Sequence, residues 1–409
     1  MSDITLSEAK REIAESLTLN TFCMRRIGLS FEEPKNASSY FAQKFMLVLS
    51  VMSICYHVFS EIVYIGLTLS NSPNVEDVVP LFHTFGYGAL SIAKVFALWY
   101  KKDVFKQLIS ELAGIWPMSP LDDDATVIKA KSLTALRIAH QWYFVINVLG
   151  VWFYNLTPII VYAYRVWQGQ DVEMGYVWVS WYPFDKHQPV AHVAVYIFEI
   201  FAGQTCVWIM VGTDLLFSGM ASHIGLLLRL LQRRLETLAT MEQTEEDNYR
   251  DILASIKLHQ RLIRYCNDLE VAFSFSNLVN IILSSVNICC VVFTIVLLEP
   301  FLDISNKLFL GSALIQIGML CWYADDILHA STKTNRIYSD GFHGYIFSDL
   351  FIDPDEILFL LCTSLHYVQR QIKIHIAYND EIYFHHFSFE IILSRYYWYH
   401  SYTYLKLSS

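Results

Sequence analysis

The sequence predicts an all-α polytopic membrane protein with seven transmembrane helices, a cytosolic N-terminus and an extracellular C-terminus. Three observations predict this class. The 409-residue chain is 54% hydrophobic and 17% charged, whereas about a quarter of the residues of a typical soluble domain are charged. Six stretches are apolar and long enough to cross a hydrocarbon core of about 30 Å. Lys and Arg are concentrated in alternate connections between these stretches.

The first 44 residues form the predicted cytosolic N-terminal arm. They lack a basic segment followed by an apolar core and a small-residue cleavage site, so we expect no cleaved signal peptide. Thr5 and Glu8 have the spacing of a capping box, which indicates a short amphipathic helix. A frayed terminus is the alternative interpretation of this segment.

Spans one to four are predicted within residues 45–220. Each is an apolar run bounded by charged or turn-forming residues, and the four runs are 45–69, 78–100, 138–166 and 190–220. The connection between the third and fourth spans is polar and aromatic. It contains the sequence Trp181-Tyr182-Pro183-Phe184-Asp185.

Residues 221–270 are predicted to form a helical cytosolic extension. Apolar residues recur there at helical spacing, at Ile224, Leu227, Leu228, Leu231, Leu235 and Leu238. This pattern is typical of an amphipathic helix that continues from span four. After an acidic break, a second amphipathic segment leads into span five, and the two segments together predict a cytosolic anchor.

Spans five and six are predicted within residues 271–324, with Glu299-Pro300 breaking the chain between them. A cytosolic connection follows over 325–383, and Asp325-Asp326 are expected to cap the end of the sixth helix. The last span and a short extracellular tail occupy 384–409. This last span carries Glu390, Arg395 and Lys406, so it must face protein or water if it crosses the membrane.

The orientation follows from the positive charges in the connections. Of the 29 Lys and Arg residues, 23 fall on the side that carries the N-terminal arm. The other side has only Arg165, Lys186 and Lys307. Because positive loop residues favour the cytosolic side, the N-terminus is predicted inside and the C-terminus, after seven crossings, outside.

The sequence offers little support for catalysis, a metal, a cofactor or nucleic-acid binding. The net charge is −10, and no basic cluster is interleaved with aromatic residues as nucleic-acid binding requires. No His or Cys pair has metal-ligand spacing, and no paired catalytic groups are visible. We therefore expect a protein that is not an enzyme and that has neither a cofactor nor a catalytic or metal-binding residue.

Four charged residues lie in the interior of predicted spans one to four, namely Glu61, Lys94, Glu199 and Asp214. Charged groups in a membrane face the bundle interior, a partner or water. One interpretation is structural pairing of Lys94 with one of the acids. The other is a water-filled vestibule or an ion path.

Aromatic residues crowd the outer halves of spans two to four, at Phe82, Phe85, Tyr87, Trp152, Phe153, Tyr154, Tyr196 and Phe201. An apolar cavity lined by aromatic rings suits a small hydrophobic ligand. Ordinary helix packing together with an interfacial aromatic belt is the alternative interpretation.

Several short motifs resemble those of the insect odorant receptor family. They are Tyr182-Pro183-Phe184-Asp185, His259-Gln260-Arg261-Leu262-Ile263-Arg264 with Glu270 and Phe273, Cys321-Trp322-Tyr323, Gln369-Arg370-Gln371-Ile372-Lys373-Ile374 and Ser401-Tyr402-Thr403-Tyr404-Leu405. Their order and spacing cover nearly the whole chain. The sequence departs from the family at Ala324-Asp325-Asp326, where the family usually has Gly-Asn-Glu.

The resemblance implies a receptor subunit that binds a small hydrophobic odorant or pheromone in the outer half of the bundle. With an olfactory coreceptor it would form a heterotetrameric, non-selective cation channel in the cell membrane, in the dendrite of an olfactory sensory neuron. The implied ligand-binding residues are Phe82, Phe85, Trp152, Tyr154, Tyr196 and Ile200, and the implied pore residues are Tyr404 and Leu407.

Two other functions are consistent with the pattern of spans. A gustatory-type chemoreceptor channel would act without the coreceptor. The Tyr182-Pro183-Phe184-Asp185 motif favours an odorant receptor over this gustatory-type alternative. A G-protein-coupled receptor would have the opposite orientation, with its N-terminus outside.

Overall fold

The computed structural model describes residues 3–31, 36–71, 75–118, 121–240, 245–297 and 304–341. Regular structure within these ranges is helical throughout. The helices are α1 (Asp3–Ser16), α2 (Thr18–Arg26), α3 (Ala37–Asn71), α4 (Val75–Tyr100), α5 (Lys102–Gly114), α6 (Asp123–Trp167), α7 (Pro189–Thr240), α8 (Glu245–Leu297) and α9 (Ile304–Gly341). The predicted all-α class is confirmed.

Six of the described helices, α3, α4, α6, α7, α8 and α9, are long and apolar enough to cross a membrane. Their outward faces expose large apolar side chains, and Phe41, Trp142, Val271 and Trp322 are 65% to 70% exposed. Such faces belong in lipid, because exposed apolar surface on this scale is unfavourable in water. These six helices correspond to predicted spans one to six, whereas the seventh span lies outside the described residues.

Helices α7 and α8 both extend well beyond a bilayer. The 52-residue α7 is about 78 Å long at 1.5 Å per residue, against a core of about 30 Å. Its later leucines are buried, and Leu227, Leu231 and Leu235 are at most 4% exposed. The predicted continuation of span four as a helix is therefore confirmed, and the segment leading into span five is likewise helical from Glu245.

Helix α9 is longer than the sequence predicts. We expected Asp325-Asp326 to cap the end of the sixth helix, and this expectation was wrong, because α9 continues to Gly341. Asp326 instead forms an ion pair with Arg229 of α7. The residues beyond it, including Ile327, Ala330 and Thr334, are buried at helical spacing against the rest of the bundle.

Glu12 of α1 connects the N-terminal helices to α6 and to the segment that follows α5. The Glu12 carboxylate accepts a hydrogen bond from the Trp116 indole at 2.7 Å and lies 2.5 Å from Lys129 Nζ. Burial raises the pKa of Glu12, but the hydrogen bonds from Lys129 and Trp116 outweigh it, so the net pKa lies below its usual value. The ionised form of Glu12 therefore links α1 to α6 and to the segment after α5.

Asp122 accepts a hydrogen bond from the Ala125 backbone amide at 3.2 Å and is the N-cap of α6. Asp124, two residues on, pairs with Arg233 of α7. The acidic residues at the start of α6 thus make two structural contacts. One begins a helix and the other joins two helices.

Candidate ligand-binding cavity

A cavity of about 70 Å³ lies among α4, α6, α7, α8, α9 and the 168–188 connection. Since one water needs about 10–15 Å³ by this measure, the space suits a small organic molecule. One part of the wall is aromatic, formed by His83, Tyr87, Tyr143, Tyr154, Trp178 and Phe309. Rings at this density favour an apolar ligand skeleton.

The other part of the wall is polar, formed by Thr84, Asn147, Ser284, Asn287, Ser312 and Gln316. The Ser312 hydroxyl donates to Asn147 Oδ1 at 2.8 Å, and Asn147 Nδ2 donates to the Tyr143 carbonyl at 2.8 Å. Both ends of the Asn147 amide are therefore satisfied within the protein. Together the two walls fit a ligand that is mostly apolar and carries a polar group.

A buried ion pair lies beside the cavity. Lys94 Nζ of α4 donates to Asp214 Oδ1 of α7 at 2.6 Å. The Tyr143 hydroxyl and Gln316 Nε2 donate to the other carboxylate oxygen at 2.9 and 2.8 Å. Gln316 also donates to Asn280 Oδ1 at 3.2 Å. This network joins α4, α6, α7, α8 and α9, and its members Tyr143 and Gln316 line the cavity.

The 168–188 connection folds over the cavity and is anchored by Glu199 of α7. One carboxylate oxygen accepts hydrogen bonds from the backbone amides of Val177 and Trp178 at 2.9 and 3.1 Å. The other accepts from the Tyr182 hydroxyl at 3.1 Å. Because Trp178 also lines the cavity, Glu199 fixes one of its aromatic walls.

The Tyr182 hydroxyl remains a donor in this arrangement. Burial and, after it, the neighbouring Glu199 carboxylate raise the pKa of Tyr182 above its usual value. The deprotonated form, which could not donate to a carboxylate, is therefore disfavoured. Tyr182 belongs to the Tyr182-Pro183-Phe184-Asp185 motif, and its contact with Glu199 gives this motif a structural role.

The four charged residues in the interior of predicted spans one to four all face the bundle interior, as expected. Glu61, Lys94, Glu199 and Asp214 are at most 2% exposed. Lys94 is paired with Asp214, as the structural interpretation proposed. Glu61 lies with an oxygen 3.6 Å from His57 Nε2, one helical turn away.

The structure brings only part of the predicted ligand-binding set to the cavity. Tyr154 lines it. Tyr196 and Ile200 lie behind the wall and pack with Trp178. Phe82 and Trp152 are 37% and 43% exposed, and Phe82 packs edge-to-face on Phe85. The predicted pore residues Tyr404 and Leu407 lie outside the described residues.

Most of the cavity wall was not predicted from the sequence. The missed residues include the polar residues of α8 and α9, such as Asn287 and Gln316. A signal was available, because Ser276, Asn280, Ser284 and Asn287 recur at helical spacing in an otherwise apolar span. Polar residues at such spacing mark the interior face of a membrane helix.

Comparison with known families and proteins gives consistent results. The model of the family described as 7tm Odorant receptor matches residues 74–345. Odorant receptor 85c of Drosophila melanogaster is 26% identical over 288 residues, which cover 69% of this chain and 73% of that protein. Odorant receptor 85b of the same species is 22% identical over 285 residues, covering 69% of this chain and 72% of that protein.

The fold is similar to that of a solved insect olfactory receptor, OR5 of Machilis hrabei. Its structure in complex with eugenol aligns with a TM-score of 0.66 at 14% identity, covering 91% of this chain and 100% of that one. The structure of the same receptor described without eugenol aligns with a TM-score of 0.63 at 12% identity, covering 90% and 99%. At these identities the likeness concerns the fold.

Proposed function

The chain belongs to the 7tm odorant receptor family of insects, and from this premise we propose that it is the ligand-binding subunit of an odorant-gated cation channel. The cavity among α4, α6, α7, α8 and α9 is the proposed odorant site. The observation that carries this assignment is a cavity with an aromatic and a polar wall, located where five membrane helices meet.

Gating in this proposal is a shift between two packings of the bundle. A ligand favours the open state only to the extent that it binds that state more tightly than the closed one. The cavity suits such coupling, because Tyr143 and Gln316 both line it and hold the Asp214 carboxylate. A ligand that contacts either residue acts on a network that joins five helices.

The proposed partner is an olfactory coreceptor, with which the chain forms a heterotetrameric, non-selective channel. The pore is assigned to the last helix, with Tyr404 and Leu407 as pore residues. The proposed location is the cell membrane of olfactory sensory neuron dendrites. The support for these assignments is family membership and the motifs that the sequence shares with the family.

Co-expression tests the function directly. Cells would carry this chain alone, the coreceptor alone, or both, and a broad odorant panel would be applied under voltage clamp. We expect odorant-evoked cation current only with both chains. Equal current from this chain alone would point to a gustatory-type channel and contradict the coreceptor partnership.

A substitution at Gly150 tests whether the cavity is the ligand site. Gly150 lines the cavity, and a Cβ added there would meet no atom within 4 Å, so the side chain of Gly150→Leu begins in open space and reduces the cavity volume. We expect at least a tenfold rise in the odorant EC50, roughly the effect of 1.4 kcal/mol in binding. Gly318→Leu is the matched control, because Gly318 is equally open but lies outside the cavity wall. Equal effects of the two substitutions would exclude the cavity.

A further inference from the structure

The polar wall of the cavity narrows the class of ligand. We propose that this receptor selects small molecules that carry a hydroxyl group, and that Asn287 is the hydrogen-bonding partner of that hydroxyl. The inference rests on the proposed function, because it concerns the same cavity. It adds the chemical class of the ligand and the residue that recognises it.

The first observation is a polar face on α8. Ser276, Asn280, Ser284 and Asn287 are each at most 3% exposed and are spaced by four, four and three residues. They share one face of the helix, and that face is turned away from lipid. Ser284 and Asn287 reach the cavity wall.

The second observation is that the amide oxygen of Asn287 lacks the hydrogen bond that the amide oxygens of two neighbouring asparagines have. Its amide oxygen is buried and has no partner among the described residues. In contrast, the amide oxygens of Asn280 and Asn147 accept hydrogen bonds from Gln316 and Ser312. A buried polar atom without a partner is costly in a protein interior, so a ligand that supplies the missing bond gains affinity.

Gly86 of α4 makes room for this amide. A Cβ built on Gly86 would lie 1.9 Å from Asn287 Oδ1, far inside any permitted contact. A residue with a side chain at position 86 would therefore displace the amide from the cavity wall. Gly86 of α4 and Asn287 of α8 together determine where the Asn287 amide lies.

The chemistry of the amide favours a hydroxyl over other oxygen groups. A hydroxyl donates to the amide oxygen and also accepts from the amide nitrogen, so it is matched in either orientation of the carboxamide. A ketone oxygen can only accept, and an alkane does neither. The aromatic wall opposite, which includes Tyr154 and Trp178, accommodates the carbon skeleton of all three.

The test uses matched triplets of a short-chain alcohol, ketone and alkane with one carbon skeleton, beginning with 2-hexanol, 2-hexanone and hexane. They would be applied to cells that carry the full chain with the coreceptor. We expect the alcohol to have the lowest EC50, about tenfold below the alkane. Asn287→Leu should remove this advantage and leave the alkane response intact, which also shows that the variant folds.

Two further variants sharpen the test. Gly86→Ala, which keeps Asn287 but displaces its amide, should reduce the preference for the alcohol in the same way. Val286→Leu is the control, since Val286 is 48% exposed on the outer face of α8, and it should leave the preference unchanged.

The outcomes separate this inference from the proposed function. If no odorant in a broad panel evokes current with the coreceptor, the proposed function fails. If currents occur but alkane or ketone matches the alcohol, the hydroxyl inference is overturned and the channel assignment stands. An equal loss of alcohol and alkane responses in Asn287→Leu would also overturn it.

Discussion

Glu199 is a carboxylate with three hydrogen-bond donors, two of them backbone amides of the connection that covers the cavity. Glu199→Gln keeps the shape but removes the negative charge and one of the two acceptor oxygens, so the hydrogen bonds from the backbone amides and from the Tyr182 hydroxyl lose their charge assistance. We expect the connection to loosen around Trp178 and the odorant EC50 to rise about tenfold, measured by dose–response with surface abundance unchanged. Tyr182→Phe, which removes one of the three bonds, should have a smaller effect in the same direction. Identical EC50 values for wild type and Glu199→Gln would contradict this role.

The Lys94–Asp214 pair predicts an asymmetry between single and double substitutions. Lys94→Met leaves the Asp214 carboxylate buried with only its neutral donors, and removing one partner of a buried pair typically costs about 3–5 kcal/mol. Lys94→Met combined with Asp214→Asn leaves no uncompensated charge and should recover most of the loss. Thermal melting of the detergent-solubilised protein measures both. A double variant no more stable than Lys94→Met would show that the charge balance is not what stabilises this site.

The sequence was informative about these residues only in part. A charge inside an apolar span must be buried in protein, and this argument correctly placed Glu61, Lys94, Glu199 and Asp214 in the interior. Which aromatic residues line the cavity depends on the rotation of each helix about its axis. Phe82, for example, lies one residue from His83, yet only His83 reaches the cavity. Sequence position gives the depth of a residue in the membrane but not the direction of its side chain.

At the scale of elements, the sequence predicts helices where hydropathy or periodicity is strong. The six apolar spans and the leucine-rich extension of α7 were found in this way. The short α5 and the second half of α9 were missed, because both are polar on one face and follow charged residues. Asp326 looks like a helix end until its partner on α7 is known, and that partner is 97 residues away in sequence.

The contact between α2 and α7 depends on a glycine. A Cβ on Gly212 would lie 2.2 Å from Met24 Cε and 3.0 Å from Cys23 Cβ, and Asn20 Nδ2 donates to the Gly212 carbonyl at 2.6 Å. Gly212→Val should therefore push α2 away and destabilise the protein by about 1–3 kcal/mol, as overpacking typically does. Gly318→Val is the control, because an added Cβ there meets nothing within 4 Å. Melting temperatures that fall equally in the two variants would show that α2 does not need this close approach.

At the scale of the whole molecule, the charge pattern and the packing of the helices lead to the same division of the chain. The 168–188 connection and the cavity lie at one end of the bundle, and the only positive residues predicted on that side are Arg165, Lys186 and Lys307. The other end holds α1, α5 and the buried continuations of α7 and α9. The proposed ligand site therefore lies at the end that the charge rule predicts to be outside.

This division predicts which tags an antibody can reach on intact cells. A tag inserted after Gln170, which is exposed in the 168–188 connection, should be stained without permeabilisation. A tag at the N-terminus should be stained only after permeabilisation, because Arg11, Arg25 and the other positive residues of the arm favour the cytosol. The two tags check each other, since a protein retained inside the cell would show neither on intact cells. An N-terminal tag that is accessible while the Gln170 tag is protected would reverse the orientation, place the cavity toward the cytosol and favour the topology of a G-protein-coupled receptor.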